Sequence, residues 1–267
     1  MAIITMDTIK ALREKTGVGV GDCKKALEEA GGNMDTAIEN LRKSGIAKAE
    51  KKSSRTTKEG LVFSCVSAQT AALVEIVCET DFVAKNERFL AYGKELAKRV
   101  AAMTAQGDLT TELQAAEKAA VIDLINAIGE NIQIRRVLRW TAVDGARLAY
   151  YDHHNKSKIV VLVELAGDGA PDNAVCMHIA AYSPRYIVPG DISASVIEKE
   201  KEIAAAQMQD KPANMIEKIV LGKINKWYGE VCLMQQPWLL DDKSCLAKTA
   251  PKLTVSRMLR WQVGEEV

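Results

Sequence analysis

The chain contains the β-rich stretch NIQIRRVLRW (Asn131–Trp140) and, near its end, a near-copy of that stretch, TVSRMLRW (Thr254–Trp261). Both stretches end in Leu-Arg-Trp, and both are rich in the branched and aromatic residues that strands favour. Each stretch also follows the same order of elements, a hairpin pattern and then a helical pattern. The sequence therefore predicts an internal duplication in which each copy ends on one of these two strands.

The hairpin and helix patterns outline the two copies. The β-rich runs are bounded by polar turn residues, and the helical segments place apolar residues three to four positions apart. The first copy has predicted strands at Leu61–Val66 and Ala72–Cys78 and predicted helices at about Phe82–Met103 and Thr111–Ile128. The second copy has predicted strands at Ala146–Tyr151 and Lys158–Leu165 and a predicted helix at about Pro171–Ala181. We expect an α+β fold whose duplicated core consists of small antiparallel sheets covered by helices, with a core subdomain N at residues 60–140 and a core subdomain C at residues 141–267.

The N-terminal residues 1–45 predict a three-helix module. Ile9 and Leu12 form the apolar stripe of the first helix, the glycine-rich GVGVG (Gly17–Gly21) interrupts it, and Asn33 is suited to cap the third helix. The next residues, 46–59 (IAKAEKKSSRTTKE), are polar and basic and contain few large apolar side chains. They therefore predict a linker.

The second copy contains an insertion at about residues 193–227. It consists of two helical patterns, Ser193–Gln209 and Pro212–Trp227, which Asp210-Lys211 separates. Pro212 suits the first turn of a helix. A thin apolar seam could join the two helices: Val196, Ile197, Ile203, Ile216, Ile219 and Ile224. We predict an antiparallel helical hairpin that protrudes from the core and is a candidate contact for a homodimer.

Charge and composition favour a protein partner over a nucleic acid or a membrane. The net charge is +1, whereas proteins whose main task is binding phosphate backbones usually carry a strong positive excess. No apolar run reaches the roughly 18 residues of a membrane-spanning helix, and MAIITMDTIKALREK at the start lacks the features of a signal peptide. The six cysteines show no CxxC pair and no zinc spacing. We therefore expect reduced thiols in a cytoplasmic protein with no direct nucleic-acid role.

The patterns for catalysis and metal binding are weak. GVGVG follows a predicted helix, whereas a dinucleotide-binding loop follows a strand. Of the three histidines, His153 and His154 are adjacent and would point to opposite faces of a strand, and His178 lies in an apolar helix where packing or an interface is expected. No catalytic pair of acidic residues and no nucleophile beside a base is evident. The sequence predicts no enzyme, no resident metal and no cofactor.

One segment has an unusual combination of residues. In EIVCETDFVAKNERF (Glu75–Phe89), a buried-type strand ends at Cys78 and is followed by Thr80 and Asp81, which are good helix caps. Phe82 then falls in the first helical turn. Residue chemistry alone favours an interpretation in which Phe82 packs under the sheet. The alternative is that the junction presents an aromatic side chain next to a carboxylate for insertion into a partner, because aromatic anchors are common in interfaces.

Two long motifs resemble signatures of the elongation factor Ts family: LREKTGVGVGDCKKAL (Leu12–Leu27) and EIVCETDFVAK (Glu75–Lys85). Further similarity lies in IGENIQIRR (Ile128–Arg136), HIAAYSPRYI (His178–Ile187) and the terminal VGE (Val263–Glu265), so the resemblance runs in order over nearly the whole chain. It implies a ubiquitin-associated-like N-terminal module, a duplicated α+β core and a helical hairpin, the same three parts that the residue patterns predict.

The resemblance also implies a function and a set of contact residues. Family members promote the release of GDP from elongation factor Tu so that GTP can bind. By analogy, the segment Thr80, Asp81, Phe82 and Val83 would reach the partner's magnesium site, displace the ion and loosen the phosphate contacts. Arg13 and Val20 would touch the GTPase from the N-terminal module, and core positions would line the same interface: Ile128, Gly129 and His153.

Alternative functions remain open at the level of the sequence. One is an adaptor, in which the three-helix module binds a peptide or a ubiquitin-like protein and the rest is a scaffold. Another is an RNA-binding protein that uses the basic stretch Arg42–Lys58, for which a steep dependence of affinity on salt is expected. An enzyme is the weakest alternative, because the sequence contains no catalytic constellation.

Overall fold

The structure, a computed structural model, describes residues 4–206 and 213–266. These residues form two compact units. The first unit contains the described residues within 1–66, 71–140 and 263–267, and the second contains those within 67–70 and 141–262. Both units combine an antiparallel sheet with helices, which confirms the predicted α+β class.

Three helices form the N-terminal part of the first unit: α1 (Met6–Thr16), α2 (Val20–Glu29) and α3 (Met34–Lys52). Gly17 ends α1 in the left-handed conformation with φ 70°, which glycine adopts without steric cost. Asn33 caps α3 as expected, because its Oδ1 accepts a hydrogen bond of 3.0 Å from the Thr36 amide. The helices share a small buried cluster: Ile9, Leu12, Cys23, Ala26, Leu27, Ala37 and Leu41.

The structure corrects the linker predicted at residues 46–59. Helix α3 continues to Lys52, and the first strand begins at Glu59, which leaves 53–58 as the connection. The helix continues because its small residues allow it to pack closely against the rest of the first unit. Ala49 is buried in the main core of the first unit, and Gly45 lies against the Asn126 side chain, where a Cβ atom would collide. A search for large apolar side chains could not detect this contact.

The first sheet has the strand order β1-β2-β4-β3, with β1 at Glu59–Val66, β2 at Thr70–Cys78, β3 at Gly107–Asp108 and β4 at Ile132–Thr141. In the antiparallel hairpin β1–β2, Glu59 lies opposite Cys78 and Val66 opposite Ala71. Four helices accompany this sheet: α4 (Asp81–Ala84), α5 (Glu87–Ala101), α6 (Thr110–Ala116) and α7 (Lys118–Ile128).

The single helix predicted at Phe82–Met103 is in fact the two helices α4 and α5. The break occurs at Asn86, whose Oδ1 accepts hydrogen bonds from the amides of Arg88 at 2.9 Å and Phe89 at 3.4 Å. A cap of this kind satisfies amides at the start of a new helix. Phe89 then lies fully buried in the core of the first unit.

The second unit repeats the arrangement with β5 (Ala146–Asp152), β6 (Ile159–Ala166), α8 (Asp172–Tyr182), α9 (Ala194–Ala206), α10 (Ala213–Val231), β7 (Pro237–Trp238), β8 (Asp241–Cys245), α11 (Leu246–Thr249) and β9 (Thr254–Gln262). Its main sheet has the order β5-β6-β9, and β7 pairs with β8 separately. In both units the second hairpin strand therefore lies between the first strand and the closing strand, as the duplication predicts.

A buried ion pair occurs at matching places in the two copies. Glu75 of β2 accepts a hydrogen bond of 2.5 Å from Nε of Arg136, and Glu164 of β6 accepts one of 2.6 Å from Nη2 of Arg257. Arg136 and Arg257 occupy the same position in the two Leu-Arg-Trp stretches. Both glutamates are almost fully buried, where an unpaired charge would be very costly, so the repeated arginine has a structural reason.

The inserted helices α9 and α10 contact each other, and Ala204 of α9 and Ile224 of α10 are buried. Helix α10 extends beyond the predicted end at Trp227 to Val231. The expected turn at Asp210-Lys211, the helix start at Pro212 and the side chain of Ile216 lie outside the described residues. Within the described part of the chain, no helix has the length and apolar character needed to cross a bilayer.

Candidate functional site

The segment Thr80–Val83, called the 80–83 segment below, forms the junction between β2 and α4. Thr80 has an extended backbone and caps α4, since its Oγ1 accepts a hydrogen bond of 3.4 Å from the Val83 amide. Val83 is 8% exposed, whereas Phe82 is 79% exposed. The short helix is thus anchored through Val83, while Phe82 points to solvent. The interpretation in which Phe82 packs under the sheet is wrong.

Asp81 lies at the start of this helical turn and pairs with Lys85. The distance from Nζ of Lys85 to Oδ2 of Asp81 is 2.6 Å, and both side chains are at least half exposed. Exposed pairs at this helical spacing stabilise a fold by only about 0.3–0.5 kcal/mol. The Lys85 pair by itself therefore holds the Asp81 carboxylate only weakly.

A pair of carboxylates ties the 80–83 segment to the end of α7. Oε2 of Glu130 accepts hydrogen bonds from the amides of Glu79 at 3.1 Å and Thr80 at 3.0 Å, and its Oε1 accepts one of 2.6 Å from the Thr80 hydroxyl. In the opposite direction, Glu79 Oε1 accepts a hydrogen bond of 2.7 Å from the Asn131 amide. We call these four hydrogen bonds the carboxylate clasp.

The clasp also reaches the connection after α3. The buried side chain of Asn131 donates hydrogen bonds to the carbonyl oxygens of Ser53 at 3.3 Å and Arg55 at 2.8 Å. The Arg55 guanidinium lies 3.4 Å from Glu79. The junction that presents Phe82 is therefore held by residues from three separate parts of the chain.

Two of the other predicted contact residues, Arg13 and Ile128, line one cleft of the first unit together with Gly17 and Lys85. Nη1 of Arg88 donates a hydrogen bond of 3.3 Å to the carbonyl oxygen of Gly17, which connects the end of α1 to the start of α5. Since Lys85 also pairs with Asp81, the cleft adjoins the 80–83 segment. The structure thus brings Arg13, Ile128 and the 80–83 segment into one neighbourhood.

Val20 and Gly129 lie at helix ends. Val20 is the first residue of α2 and is 42% exposed. Gly129 ends α7 in the left-handed region with φ 99° and lines a polar depression with Asp22, Lys48 and Lys52. Burial is the largest of the influences that lower the pKa of Lys52, and nearby Arg55 adds to it.

His153 belongs to the second unit and does not lie on a strand. His153–Asn155 form a 3-10 turn in which His154 has a φ of 58°. The expectation that His153 and His154 point to opposite faces of a strand is therefore wrong, since their ring centres are 3.9 Å apart. Nδ1 of His153 lies 3.1 Å from the Tyr151 hydroxyl, and Asp152 bonds Ser157 to close the loop.

The third histidine, His178, is packed in the core of the second unit. Its Nδ1 accepts a hydrogen bond of 3.3 Å from the Leu239 amide, so Nε2 carries the proton and donates to Gln236 at 2.9 Å. The ring stacks against Tyr182 and Trp238. Burial lowers the pKa of His178, which keeps the ring neutral. A structural role is indicated, in agreement with the packed alternative.

Chemistry at other reactive groups is limited. Burial raises the pKa of the Cys176 thiol to about 12 and that of Cys232 to about 11, so both stay protonated at neutral pH. Among residues 4–206 and 213–266, no group of three or more His, Cys, Asp or Glu side chains could hold a metal ion.

Sequence reasoning missed Glu130, Glu79 and Asn131 as parts of the site. The family resemblance includes the stretch IGENIQIRR, but it implies a contact with the partner only for Ile128 and Gly129. The available signal was an acidic residue directly after a glycine helix end, which is too common to predict a bond to a residue 50 positions away.

Comparison with known proteins identifies relatives of the chain. The family model described as "Elongation factor TS" matches residues 79–265. Elongation factor Ts of Protochlamydia amoebophila is 41% identical, with 99% of this chain and 100% of the relative covered. Elongation factor Ts of Methylococcus capsulatus is 42% identical, with 99% and 93% covered, and that of Aliivibrio fischeri is 41% identical, with 100% and 94% covered.

Proposed function

Because the chain belongs to the elongation factor Ts family, we propose that it binds elongation factor Tu in its GDP-bound state and promotes the exchange of GDP for GTP. The observation that carries this proposal is the 79% exposure of Phe82 on a helical turn that the carboxylate clasp holds in place. A large aromatic side chain left in solvent on a fixed backbone is suited to insertion into a partner. The activity is exchange without covalent chemistry, and it belongs in the cytoplasm with the GTPase.

In this proposal the 80–83 segment enters the nucleotide site of the GTPase. Phe82 separates side chains of the partner, and the Asp81 carboxylate approaches the region that holds the partner's magnesium ion. A negative charge placed there competes with the phosphates for the ion and its ligands. Loss of the ion's contacts then weakens the hold on GDP.

The remaining proposed contacts provide docking. Arg13 and Ile128 share the cleft next to the 80–83 segment, Val20 and Gly129 are exposed at helix ends, and the half-buried His153 lies in the 3-10 turn. Exchange requires that the factor bind the nucleotide-free GTPase more tightly than the GDP-bound one, since the coupling between the two ligands is reciprocal. Docking residues supply affinity in both states, and the 80–83 segment supplies the difference between them.

The direct test is to mix the protein with elongation factor Tu loaded with fluorescent GDP and to follow the fluorescence as GDP leaves. We expect release to accelerate with protein concentration until it reaches a plateau. Binding to the GTPase with no change in the release rate would instead support the adaptor alternative and contradict the proposal.

A further inference from the structure

We propose that Glu130 is a positioning residue for exchange: its carboxylate fixes the 80–83 segment in the conformation that presents Phe82, without having to touch the partner. This inference rests on the proposed function for its effect on GDP release, whereas its structural part concerns the free protein alone.

The first step of the argument is that α4 cannot hold its own shape. It has four residues, Asp81–Ala84, which is too short for a helix that is stable by itself. Phe82 adds little packing because it is exposed, and the Lys85–Asp81 pair lies in solvent. What fixes the turn is the burial of Val83 and Ala84 and the bonds at its start.

The second step is that Glu130 accepts hydrogen bonds from three polar groups directly before that turn. One carboxylate accepts from two backbone amides, those of Glu79 and Thr80, and from the Thr80 hydroxyl. Because the hydroxyl hydrogen is directed to Glu130, the lone pairs of Oγ1 remain for the Val83 amide at 3.4 Å. Glu130 therefore orients the Thr80 hydroxyl that caps α4, in addition to accepting hydrogen bonds from the backbone amides of Glu79 and Thr80.

The third step concerns what else is fixed by the same residue. Glu130 directly follows Ile128 and Gly129, two of the proposed docking residues, and α7 ends at Ile128. The reverse bond from the Asn131 amide to Glu79 makes the connection two-sided. The clasp thus holds the docking residues at the end of α7 and the 80–83 segment as a single rigid element, which the proposed insertion of Phe82 requires.

Substitutions at Glu130 should weaken the carboxylate clasp to different degrees. Glu130→Ala removes all three acceptor contacts. In Glu130→Gln, the amide oxygen can still accept from the two backbone N–H groups, and the new NH₂ group can donate to Thr80 Oγ1. The glutamine variant keeps the shape of the clasp and loses the charge that strengthens it. Glu112→Gln is the control, since Glu112 is an exposed residue of α6 in the same unit.

The first measurement is amide hydrogen exchange in the free protein, resolved at Glu79, Thr80 and Val83. We expect exchange about tenfold faster in Glu130→Ala, the change that corresponds to loss of one charge-assisted hydrogen bond, and a smaller increase in Glu130→Gln. The Glu112→Gln variant should match the unsubstituted protein. Unchanged exchange at these amides in Glu130→Ala would refute the positioning role.

The second measurement is the release of fluorescent GDP from elongation factor Tu over a range of protein concentrations. We expect the plateau rate to fall about tenfold in Glu130→Ala and less in Glu130→Gln, while the half-saturating concentration changes less than about twofold. If both variants lose rate equally and the 79–83 amides are unaffected, Glu130 contacts the partner directly and the inference is wrong. Faster amide hydrogen exchange with an unchanged plateau rate of GDP release would refute a role of Glu130 in nucleotide exchange.

The two proposals can fail separately. If the unsubstituted protein does not accelerate GDP release at all, the proposed function is wrong, and the amide-exchange result still decides whether Glu130 fixes the segment. If release is accelerated and Phe82→Ala reduces it, the function stands, and the Glu130 series alone decides the positioning role.

Discussion

Replacing Phe82 with alanine tests the central proposal most directly. Phe82 is 79% exposed, so its removal should change the free energy of unfolding by less than about 0.5 kcal/mol. Full burial of a phenylalanine side chain contributes about 1.5–3 kcal/mol. If the exposed 79% is buried only when Phe82 is inserted, the loss is about 1.2–2.4 kcal/mol, or about 8- to 60-fold. The plateau rate of GDP release should fall by that factor.

The expected size also limits what Phe82 can do alone. Weakening nucleotide binding by about 10⁴-fold takes about 5.5 kcal/mol of differential binding, which exceeds the contribution of one phenylalanine. In the proposed mechanism, the remainder of this differential binding must come from Asp81 and from the lost magnesium and phosphate contacts. Phe82→Ala should therefore slow exchange without abolishing it.

The assay is stopped-flow release of fluorescent GDP at increasing protein concentration, with Leu240→Ala as the control. Leu240 is another exposed large apolar residue, at 63%, and it lies outside the proposed site. An unchanged plateau rate in Phe82→Ala would refute the insertion role. A raised half-saturating concentration with the same plateau would show that Phe82 is only a docking anchor.

Three further predictions concern charge and pH. Asp81→Asn should slow GDP release. The free energy of unfolding should change by less than about 0.5 kcal/mol, because the Lys85 pair is exposed. A normal release rate would exclude a role for the Asp81 charge. Because the folded pKa of His178 lies below its usual value, its stabilising effect is full above the unfolded pKa of about 6.5 and is lost as pH falls through the folded pKa. Denaturant titrations should therefore show that the free energy of unfolding decreases as the pH is lowered from about 6.5, and that it decreases less in His178→Gln. An equal decrease in the two proteins would contradict this prediction. Glu164→Ala should destabilise the second unit by up to about 3 kcal/mol in denaturant titrations, since the Arg257 guanidinium loses its buried partner; a loss under about 0.5 kcal/mol would refute it.

The elements of the fold could be predicted because their signals are local. The duplicated strands carry branched residues, and Gly17 and Asn33 sit where a helix end and a helix start require them. The continuation of α3 to Lys52 could not be predicted in this way, because Gly45 and Ala49 make their contacts through small size. A pattern of apolar residues three to four positions apart detects large side chains, but it does not detect small residues that let two elements pack closely together.

The sequence proposed residues for the candidate site, but it did not predict their geometry. Whether Phe82 is buried or exposed depends on the direction of one helical turn, and Thr80 at its start donates hydrogen bonds to Glu130, 50 residues away in the sequence. No local pattern contains that information. The turn at His153 was missed for a related reason, since the positive φ values of His154, Asn155 and Ser157 fall on residues that adopt them only in a specific loop.

The two copies of the core differ at the junction between the hairpin and the helix that follows it. In each copy an aspartate begins the first helix after the hairpin, Asp81 in α4 and Asp172 in α8. Arg147 donates two hydrogen bonds to the Asp172 carboxylate, at 2.7 Å from Nε and 2.6 Å from Nη2. Asp81 has the exposed Lys85.

The two aspartates therefore differ in how strongly their ion pairs with Lys85 and Arg147 hold them. A bidentate arginine pair is strong and geometrically specific, so releasing Asp172 would cost much of that interaction. An exposed lysine pair is worth only about 0.3–0.5 kcal/mol, so the Lys85 pair by itself holds the Asp81 carboxylate weakly. The Asp172 pair therefore stabilises the second unit, whereas the matching junction of the first unit carries the exposed Phe82, which enters the GTPase in the proposed function.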